Sequence, residues 1–398
     1  MIAHAVYEYD SRLMCYAKTL TRLGHTVDVI GLSGGKNKSP KSDGGVNLFP
    51  VQAVEQTKTN KTQAFYLRRV LSFFVRAALF VTFRDLKKHY DLVHVHSVPD
   101  FLVFAALFPK LRGAKIILDI HDILPEFYIS KFGKTEKSRI YRTLLQVERL
   151  SAGFAHHVII ANDIWRAKLV SRSVRDAKCS AILNFPDREG FKRHGRNRND
   201  HKVIVMYPGT LNQHQGLDIA IRAFDRIKNA VPSAEFHIYG VGPEEESLKR
   251  LVGELDLADR IKFLGLQPLK SMAGLMENAD LGVVPKRDDA FGNEAFSTKI
   301  FEFMAMGVPV VVADTKVDRH YFDDSMVKFF AAGDERSLAE AMLTVIRKPG
   351  VRENLVRNAS KFIFLNDWEN NKYKYLDIVN RLASHGAVVK ESRTETYV

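Results

Sequence analysis

Runs of buried-type, largely β-branched residues recur along this chain with amphipathic helical stretches between them, and the alternation starts twice. The first half offers "IAHAVY", "TVDVIGL", "DLVHVHS", "KIILDIHD", "HVIIAN" and "SAILNF"; the second restarts at "KVIVMYPG" and continues with "EFHIYG", "IKFLGL", "LGVVP" and "VPVVVAD". Parallel strands need a crossover between them, most simply a helix, so this alternation predicts parallel sheets covered on both faces. At 398 residues there is room for two such domains. The reading is α/β, with two doubly wound, Rossmann-like domains. They span 1–185 and 203–365, with a polar linker at 186–202, "PDREGFKRHGRNRNDHK". A C-terminal helix at 366–386 is expected to return toward the first domain, and 387–398 to fray. Open α/β sheets bind ligands outside the carboxyl ends of their strands, so two such domains suggest a substrate cleft between them.

The charge balance narrows the partners. A net charge of +13 and a pI near 9.5 favour anionic ones. Nothing resembles a nucleic-acid module: there are no zinc-ligand pairs, no aromatic RNA-binding strand and no long basic arm. Cys15 and Cys179 lie far apart and form neither a metal pair nor a disulfide framework, which fits a reducing cytoplasm. No signal peptide opens the chain. No apolar run is long enough to cross a bilayer, because "FYLRRVLSFFVRAALFVTF" (65–83) is interrupted by Arg68, Arg69 and Arg76. The segment 65–88 reads either as an interfacial amphipathic helix or as an ordinary packed helix with solvated arginines. The neighbouring basic stretches "KNKSPKSDGG" and "KTNKTQ" make this side of the first domain the place to meet anionic lipid.

The stretch "FGNEAFSTKIFEFMAMGVPVVVAD" (291–314) carries the sharpest chemistry. From Ser297 to Met306 it reads as a helix, with Ser297 or Thr298 as N-cap, Gly307 as stop and a doubly buried strand after Pro309. Glu294 and Glu302 have seven residues between them. From the loop before the cap, Glu294 sits beside the helix N-terminus while Glu302 points sideways from the second turn. Unsatisfied N–H groups and the positive dipole end then lie between two hydrogen-bond acceptors, a place suited to a ligand with both phosphate and hydroxyls. The plainer alternative is a terminal charge and a solvated glutamate.

Three further motifs are weaker alone. "YPGTLNQHQGLDIAIRAF" (207–224) is strand, turn and helix, with Gly209 letting backbone approach a ligand and Gly216 preceding the helix. "IYGVGPEEESLKRL" (238–251) has Gly240 and Gly242 ending a strand, Pro243 suited to helix position N1 and Glu244 to Glu246 complementing the dipole. It lacks the spacing of a dinucleotide fingerprint. "LDIHDILPEFY" (118–128) sets His121, Asp122 and Glu126 at the carboxyl end of a buried strand, where α/β enzymes keep working residues. The "HVHS" at 94–97 reads as a strand end with an incidental histidine pair, and not as a metal site.

Together these segments resemble the family 4 retaining glycosyltransferases of the GT-B fold over nearly the whole chain. "YAKTLTRLGHTVDVIGL", "VERLSAGFAHHVIIAN", "ILNFPD", "DRIKFLGLQP", "ADLGVVP" and the E-x7-E segment with "FMAMGVPVV" follow in family order. The resemblance implies that Glu294 with the amides of Ala295, Phe296 and Ser297 holds the donor sugar. It also implies that the helix N-terminus, with Thr298, faces the donor pyrophosphate and that Glu302 takes the ribose hydroxyls. Leu264, in the "FLG" turn, would meet the base, and His121 would lie near donor sugar and acceptor. It implies no metal and no cofactor beyond the nucleotide-sugar co-substrate. Two departures stand out. Thr210 and Gln215 replace the Arg and Lys that commonly reach the diphosphate, so Lys299, or Lys286 or Arg287, is expected to supply the missing charge. The first-strand loop is "YEYDSRL" rather than a glycine turn, which turns attention to Asp10 and Arg12 on the acceptor side, with Asp122 and Glu126.

The resulting expectation is a cytoplasmic, metal-independent, retaining hexosyltransferase, at the inner face of the plasma membrane if α-helical segment 65–88 docks there. It moves a sugar from a nucleotide-sugar to a glycan or lipid-linked acceptor in exopolysaccharide or cell-envelope synthesis. Two alternatives remain: a nucleotide-sugar 2-epimerase on the same fold, and a non-catalytic partner subunit whose donor site has decayed at Thr210 and Gln215.

Overall fold

The computed structural model describes residues 1–35, 39–54, 63–186, 190–196 and 198–383. The tail expected to fray, 387–398, lies outside these residues, as do parts of the 186–202 linker and of the two basic stretches before 65.

The chain forms two compact units, each with its own sheet. The first contains β1 (Ile2–Val6), β2 (Asp28–Ser33), β3 (Lys41–Asp43), β4 (Val46–Ala53), β5 (Leu92–Ser97), β6 (Lys115–Ile120), β7 (His157–Ile160) and β8 (Cys179–Ala181). Its order is β3-β4-β2-β1-β5-β6-β7-β8, parallel except for β3. Its helices are α1 (Ser11–Arg22), α2 (Gln63–Lys87), α3 (Leu107–Leu111), most of α5 (Arg139–Phe154) and α6 (Asp163–Arg172), while α4 (Leu124–Phe132), which follows β6, groups with the second unit. The second sheet is wholly parallel, built from β9 (Val203–Pro208), β10 (Ala234–Tyr239), β11 (Ile261–Phe263), β12 (Leu281–Val284), β13 (Val310–Ala313) and β14 (Lys328–Phe330) in the order β11-β10-β9-β12-β13-β14. Around it run α7 (Leu217–Ile227), α8 (Glu245–Glu254), α9 (Leu269–Glu277), α10 (Thr298–Met306), α11 (Lys316–Tyr321), α12 (Glu335–Arg347) and α13 (Pro349–Leu365), and α14 (Trp368–Ala383) follows.

The strand sequences explain the layering. Val93, Val95, Ile116, Leu118, Val158 and Ile160 are all but inaccessible, as are Val205, Phe236, Leu281, Val283 and Val311 in the second unit. Helices on both faces leave central strands no solvent side, so near-continuous apolar runs result. In the second unit Phe224 of α7 stacks on Phe236 of β10 at 5.8 Å, both fully buried. Burying each such ring contributes roughly 2–3 kcal/mol.

Three strands escape the sequence reading. β3 is exposed and polar, β4 carries Pro50 in its middle, and β14 has three residues. Pro243 does not open a helix as expected: α8 begins at Glu245, and Gly242 is instead pressed against Leu211, whose carbonyl oxygen would lie 2.4 Å from an added Cβ. The units also divide differently from the expected domains. Residues 125–141 group with the second unit, while 371–383, the bulk of α14, group with the first, the one toward which the C-terminal helix is expected to return. There the Tyr375 ring lies 4.2 Å from that of Tyr16, centroid to centroid.

In each sheet the strand order reverses direction at one point, between β1 and β5 and between β9 and β12. Crevices open at the carboxyl side of such points. In the second unit that locates the turn after β9, at Gly209, and the loop after β12, which leads to Glu294.

Candidate active site

The loop between β12 and α10 is shaped by its own polar groups. Asp289 Oδ1 accepts from the amides of Phe291 at 3.0 Å and Gly292 at 2.7 Å, and the Ala295 amide donates to Phe291 O at 2.8 Å. Underneath, Lys286 donates to Ala295 O at 2.6 Å and pairs with Asp318 at 2.8 Å. Lys286 and Asp318 are both buried, so this pair is an internal strut. Arg287 is likewise engaged, with Asp218 at 2.6 Å and Gln213 O at 3.1 Å. Lys286 is therefore not available to replace the absent diphosphate ligands, a correction to the sequence expectation, whereas Arg287 is partly exposed and held by these two partners.

The strut delivers the chain to α10 in an unusual state. Ser297 is the N-cap, with extended backbone, yet its side chain makes no capping bond; its Oγ is buried and has no hydrogen-bond partner among the described residues. The amides of Phe296, Ser297 and Thr298 likewise donate to no protein group among the described residues. Ala295, by contrast, is already used by Phe291, so the expected row of sugar-holding amides starts one residue later. The Phe296 ring turns inward, against Phe301 at 4.8 Å and Tyr321 at 5.2 Å, and leaves only its backbone to a ligand.

Glu294 and Glu302 flank this helix end. Glu294 Oε1 accepts from Lys316 Nζ at 3.2 Å. Burial pushes the Glu302 carboxyl up, and Lys299 opposes the shift. Lys299 itself has its pKa lowered to about 8 by burial, with Glu302 pulling the other way. Its Nζ is 3.3 Å from Gln215 Oε1 and 5.3 Å from the centre of the Tyr207 ring. The Tyr207 hydroxyl lies 2.9 Å from Thr210 O and 3.1 Å from Gln215 Oε1, so the turn after β9 and the start of α10 are tied into one patch.

Glycine makes that proximity feasible. Gly209 has φ +144° and a Cβ there would stand 2.3 Å from Lys299 Cε; at Gly240, φ +138°, a Cβ would stand 1.8 Å from Gly209 O. Thr210 is exposed, and its Oγ1 accepts from Asn212. Leu264 donates its amide to Ile238 O at 2.8 Å and keeps its side chain partly exposed, while Gly265 O accepts from the Gly240 amide.

The first unit holds a second polar cluster, at the carboxyl ends of β5 and β6. Asp119, fully buried, accepts from Arg12 Nε at 2.7 Å and Nη2 at 2.8 Å, and Arg12 Nη1 donates to Ile182 O. Arg12 is therefore internal and does not face an acceptor; that expectation is corrected by its 5 % exposure. Asp10 is spent on capping α1, accepting from the Leu13 amide at 3.0 Å. His121 Nε2 is 3.5 Å from Asp119 Oδ2 and 3.2 Å from His96 Nδ1. His94 stacks on His96 at 4.2 Å and meets the Tyr375 hydroxyl at 3.1 Å. The histidine pair of β5 is thus no incident of sequence. Burial drives His94 and His96 down toward the neutral form. His121 goes up despite burial, because the Asp119 carboxylate faces it. A protonated His121 donates from Nε2 toward the Asp119 carboxylate. His94, His96 and Asp119 are close enough together to hold a metal ion, but the Asp119 carboxylate is already bidentate to the Arg12 guanidinium. Asp122 is half-buried, with its carboxyl raised by burial, whereas Glu126 is buried and accepts from the Tyr141 hydroxyl at 3.2 Å.

The structure thus brings Gly209, Gln215 and Lys299 into one patch in the second unit and sets Glu294, Ser297 and Glu302 around one helix end. It groups His121 with Arg12 and Asp119 in the first. Sequence reasoning missed Lys316, His96, Asp119 and Tyr375. It also missed His214, whose pKa burial lowers to about 4 and whose ring meets Phe127 and Phe291 in an aromatic corner. The only available signal was position: Asp119 is two residues before His121 on a strand, and Lys316 follows the carboxyl end of β13.

Comparison with known proteins places these features. Residues 10–184 match the family described as glycosyl transferase 4-like domain, and 189–362 match glycosyl transferases group 1. A phosphatidyl-myo-inositol mannosyltransferase of Mycobacterium leprae is 26 % identical over 212 residues, 53 % of each chain. The amylovoran biosynthesis glycosyltransferase AmsK of Erwinia amylovora is 25 % identical over 182 residues, 45 % of each. The chain thus spans about half the length of these curated relatives. The structure of HepE from Anabaena in complex with UDP-glucose superposes with a TM-score of 0.72, covering 96 % of this chain and 98 % of that one at 16 % identity. The chain belongs to the group 1, family 4-like glycosyltransferases, and both of its units have the Rossmann-like architecture of the GT-B fold.

Proposed function

We propose that this protein transfers a sugar, with retention of configuration and without a metal ion, from a nucleotide-sugar to a glycan or lipid-linked acceptor in polysaccharide or cell-envelope synthesis. In this reading it works in the cytoplasm, at the inner face of the plasma membrane. The observation that carries the proposal is the N-terminus of α10. Among the described residues the amides of 296–298 and the buried Ser297 hydroxyl have no protein partner, two carboxylates flank them, and a lysine stands over a glycine turn. An internally satisfied helix start needs none of this.

The chemistry follows from where charge moves. The bond from the anomeric carbon to the diphosphate oxygen breaks with its electron pair, so positive charge grows on the sugar and negative charge on the leaving phosphate. The α10 amides and Lys299 face the latter, and fixed donors of this kind contribute several kcal/mol in a water-poor site. Glu294 orients the sugar and Glu302 the ribose. The acceptor hydroxyl attacks the same face, forming the new C–O bond as its proton passes to the departing phosphate oxygen. HepE was solved in complex with UDP-glucose, and the two curated relatives are named for phosphatidyl-myo-inositol and for amylovoran biosynthesis, which favours this donor and acceptor class.

The test is a donor screen with UDP-, GDP-, ADP- and dTDP-sugars, following thermal shift and slow donor hydrolysis, repeated with Glu294→Gln and Glu302→Gln. One nucleotide series should stabilise the wild type and lose most of that effect in both variants. Absence of any nucleotide-sugar binding would sink the proposal in favour of a partner subunit, and donor binding without turnover on any acceptor would point the same way.

A further inference from the structure

The helix α2 is apolar on two sides but packed on one. Val70, Phe73, Ala77 and Val81 are buried against the first unit. On the opposite side Leu67, Leu71, Val75, Leu79, Phe83 and Leu86 are all between 46 % and 62 % exposed. At about 100° per residue these six cover an arc of roughly 160° and run some 29 Å along the helix. Leu107 and Leu111 of the adjoining α3 are exposed as well, the latter at 77 %. A helix that is hydrophobic all round is ordinarily buried all round, and exposed apolar patches of this extent mark interaction surfaces.

The charges beside the stripe say what covers it. Arg68, Lys87 and Lys88 are exposed, as is Arg76, which donates one N–H to Val51 O at 3.3 Å. The one acidic residue between 63 and 88, Asp85, is buried and occupied by the Tyr90 amide and Arg112. Arg69 and Arg84 are spent inward, on Ala53 O and Asp28, and hold the helix to its unit. A second copy docking here would bring cation against cation with no carboxylate between them. No described helix is long and apolar enough to cross a membrane, so α2 is not a span. A flat apolar stripe rimmed by cations alone matches the boundary between acyl chains and anionic headgroups.

We infer that the outward face of α2, continued by α3, docks the chain on an anionic lipid bilayer. The six apolar side chains enter the headgroup–acyl boundary and the four cations meet lipid phosphates. This deepens the peripheral placement proposed above and rests on that reading only for where the chain works, not for its donor or acceptor.

The experiment uses the full chain in flotation with vesicles of phosphatidylcholine alone and with about 30 mol% phosphatidylglycerol, at about 0.1 M and 0.5 M NaCl. The wild type should float with anionic vesicles and fall off at high salt. Leu71→Glu/Leu79→Glu should weaken binding at least tenfold, and Arg68→Glu/Lys88→Glu by roughly tenfold or more. Circular dichroism, melting temperature and donor thermal shift should stay unchanged in both, since none of these side chains is packed inward. Failure to float with anionic vesicles, or floating that survives both double variants, overturns the inference. So does a dimer seen by light scattering that Leu71→Glu/Leu79→Glu dissociates, which would make the cover a second copy. Failure of the donor screen with flotation intact would remove the transferase reading and leave this one standing.

Discussion

Lys299 is a small change with large leverage. It stands beside Gln215, one of the two positions where a cation is expected and absent, and its value near 8 places its titration within the working range. Burial lowers it, so the amine is charged below pH 8 and loses its proton above. Donor affinity should therefore be flat below about pH 7.5 and fall by up to tenfold per pH unit above 8. Lys299→Arg keeps a guanidinium charged throughout and should flatten that profile, whereas Lys299→Met should lower kcat by about 10²–10³-fold, the range for a lost charge-stabilising donor. Isothermal titration with the donor across pH 6.5–9.5 reads the first effect; a profile identical in wild type and Lys299→Arg would remove the lysine from the phosphate. Asp119 is the corresponding residue in the first unit. Asp119→Asn leaves the Arg12 charge buried without a counter-charge and should cost about 3–5 kcal/mol in urea unfolding. His121 has a folded-state value above its ordinary 6.5, so its attraction to Asp119 is complete below pH 6.5 and fades as pH rises through the raised value. The wild type should lose that stability over this interval, and Asp119→Asn should not show it.

At the level of elements, the turn after β9, the turn after β10 and the start of α10 are mutually templated. Gly240 accommodates Gly209, and Gly209 accommodates Lys299. Gly240→Ala puts a methyl into the Gly209 carbonyl at a φ that side chains rarely adopt. The expected result is about 1–3 kcal/mol of lost stability in urea unfolding together with lost donor thermal shift. Gly253→Ala, inside α8 with open space around it, should do neither. This interdependence also shows what the sequence could reveal. The alternation of apolar runs located the central strands of both sheets, and the α10 helix with its flanking carboxylates was legible from spacing and its glycine stop. β3, β4 and β14 were not, because an exposed polar strand, a proline-bearing one and a three-residue one carry no strong period. Side-chain partnerships across the sheet were invisible for a different reason. Arg12 reads as a loop cation until β6, more than a hundred residues on, places Asp119 against it. Shorter separations, 32 residues from Lys286 to Asp318 and 25 from His96 to His121, hid that Lys286 is a strut and that the β5 histidines support His121.

Across the whole molecule, the two units have separate sheets and cores, and each candidate cluster belongs to one of them. The nucleotide contacts proposed here, at 209–216, 240, 264 and 296–302, fall entirely within the second unit. A nucleoside diphosphate without its sugar therefore needs nothing from the first. Hydrogen exchange with the diphosphate of whichever series the screen selects should slow amides at Phe296, Ser297 and Thr298, since these have no protein acceptor among the described residues and would gain phosphate ones. At a hundredfold excess over Kd the ligand should add about 2.7 kcal/mol to the unfolding free energy of the unit that holds it. Peptides covering β5, β6 and the residue after β6, which carry His96, Asp119 and His121, should exchange as before. If those first-unit peptides slowed while 296–298 stayed unprotected, the nucleotide would belong to the histidine cluster, and the partnerless start of α10 would need another occupant.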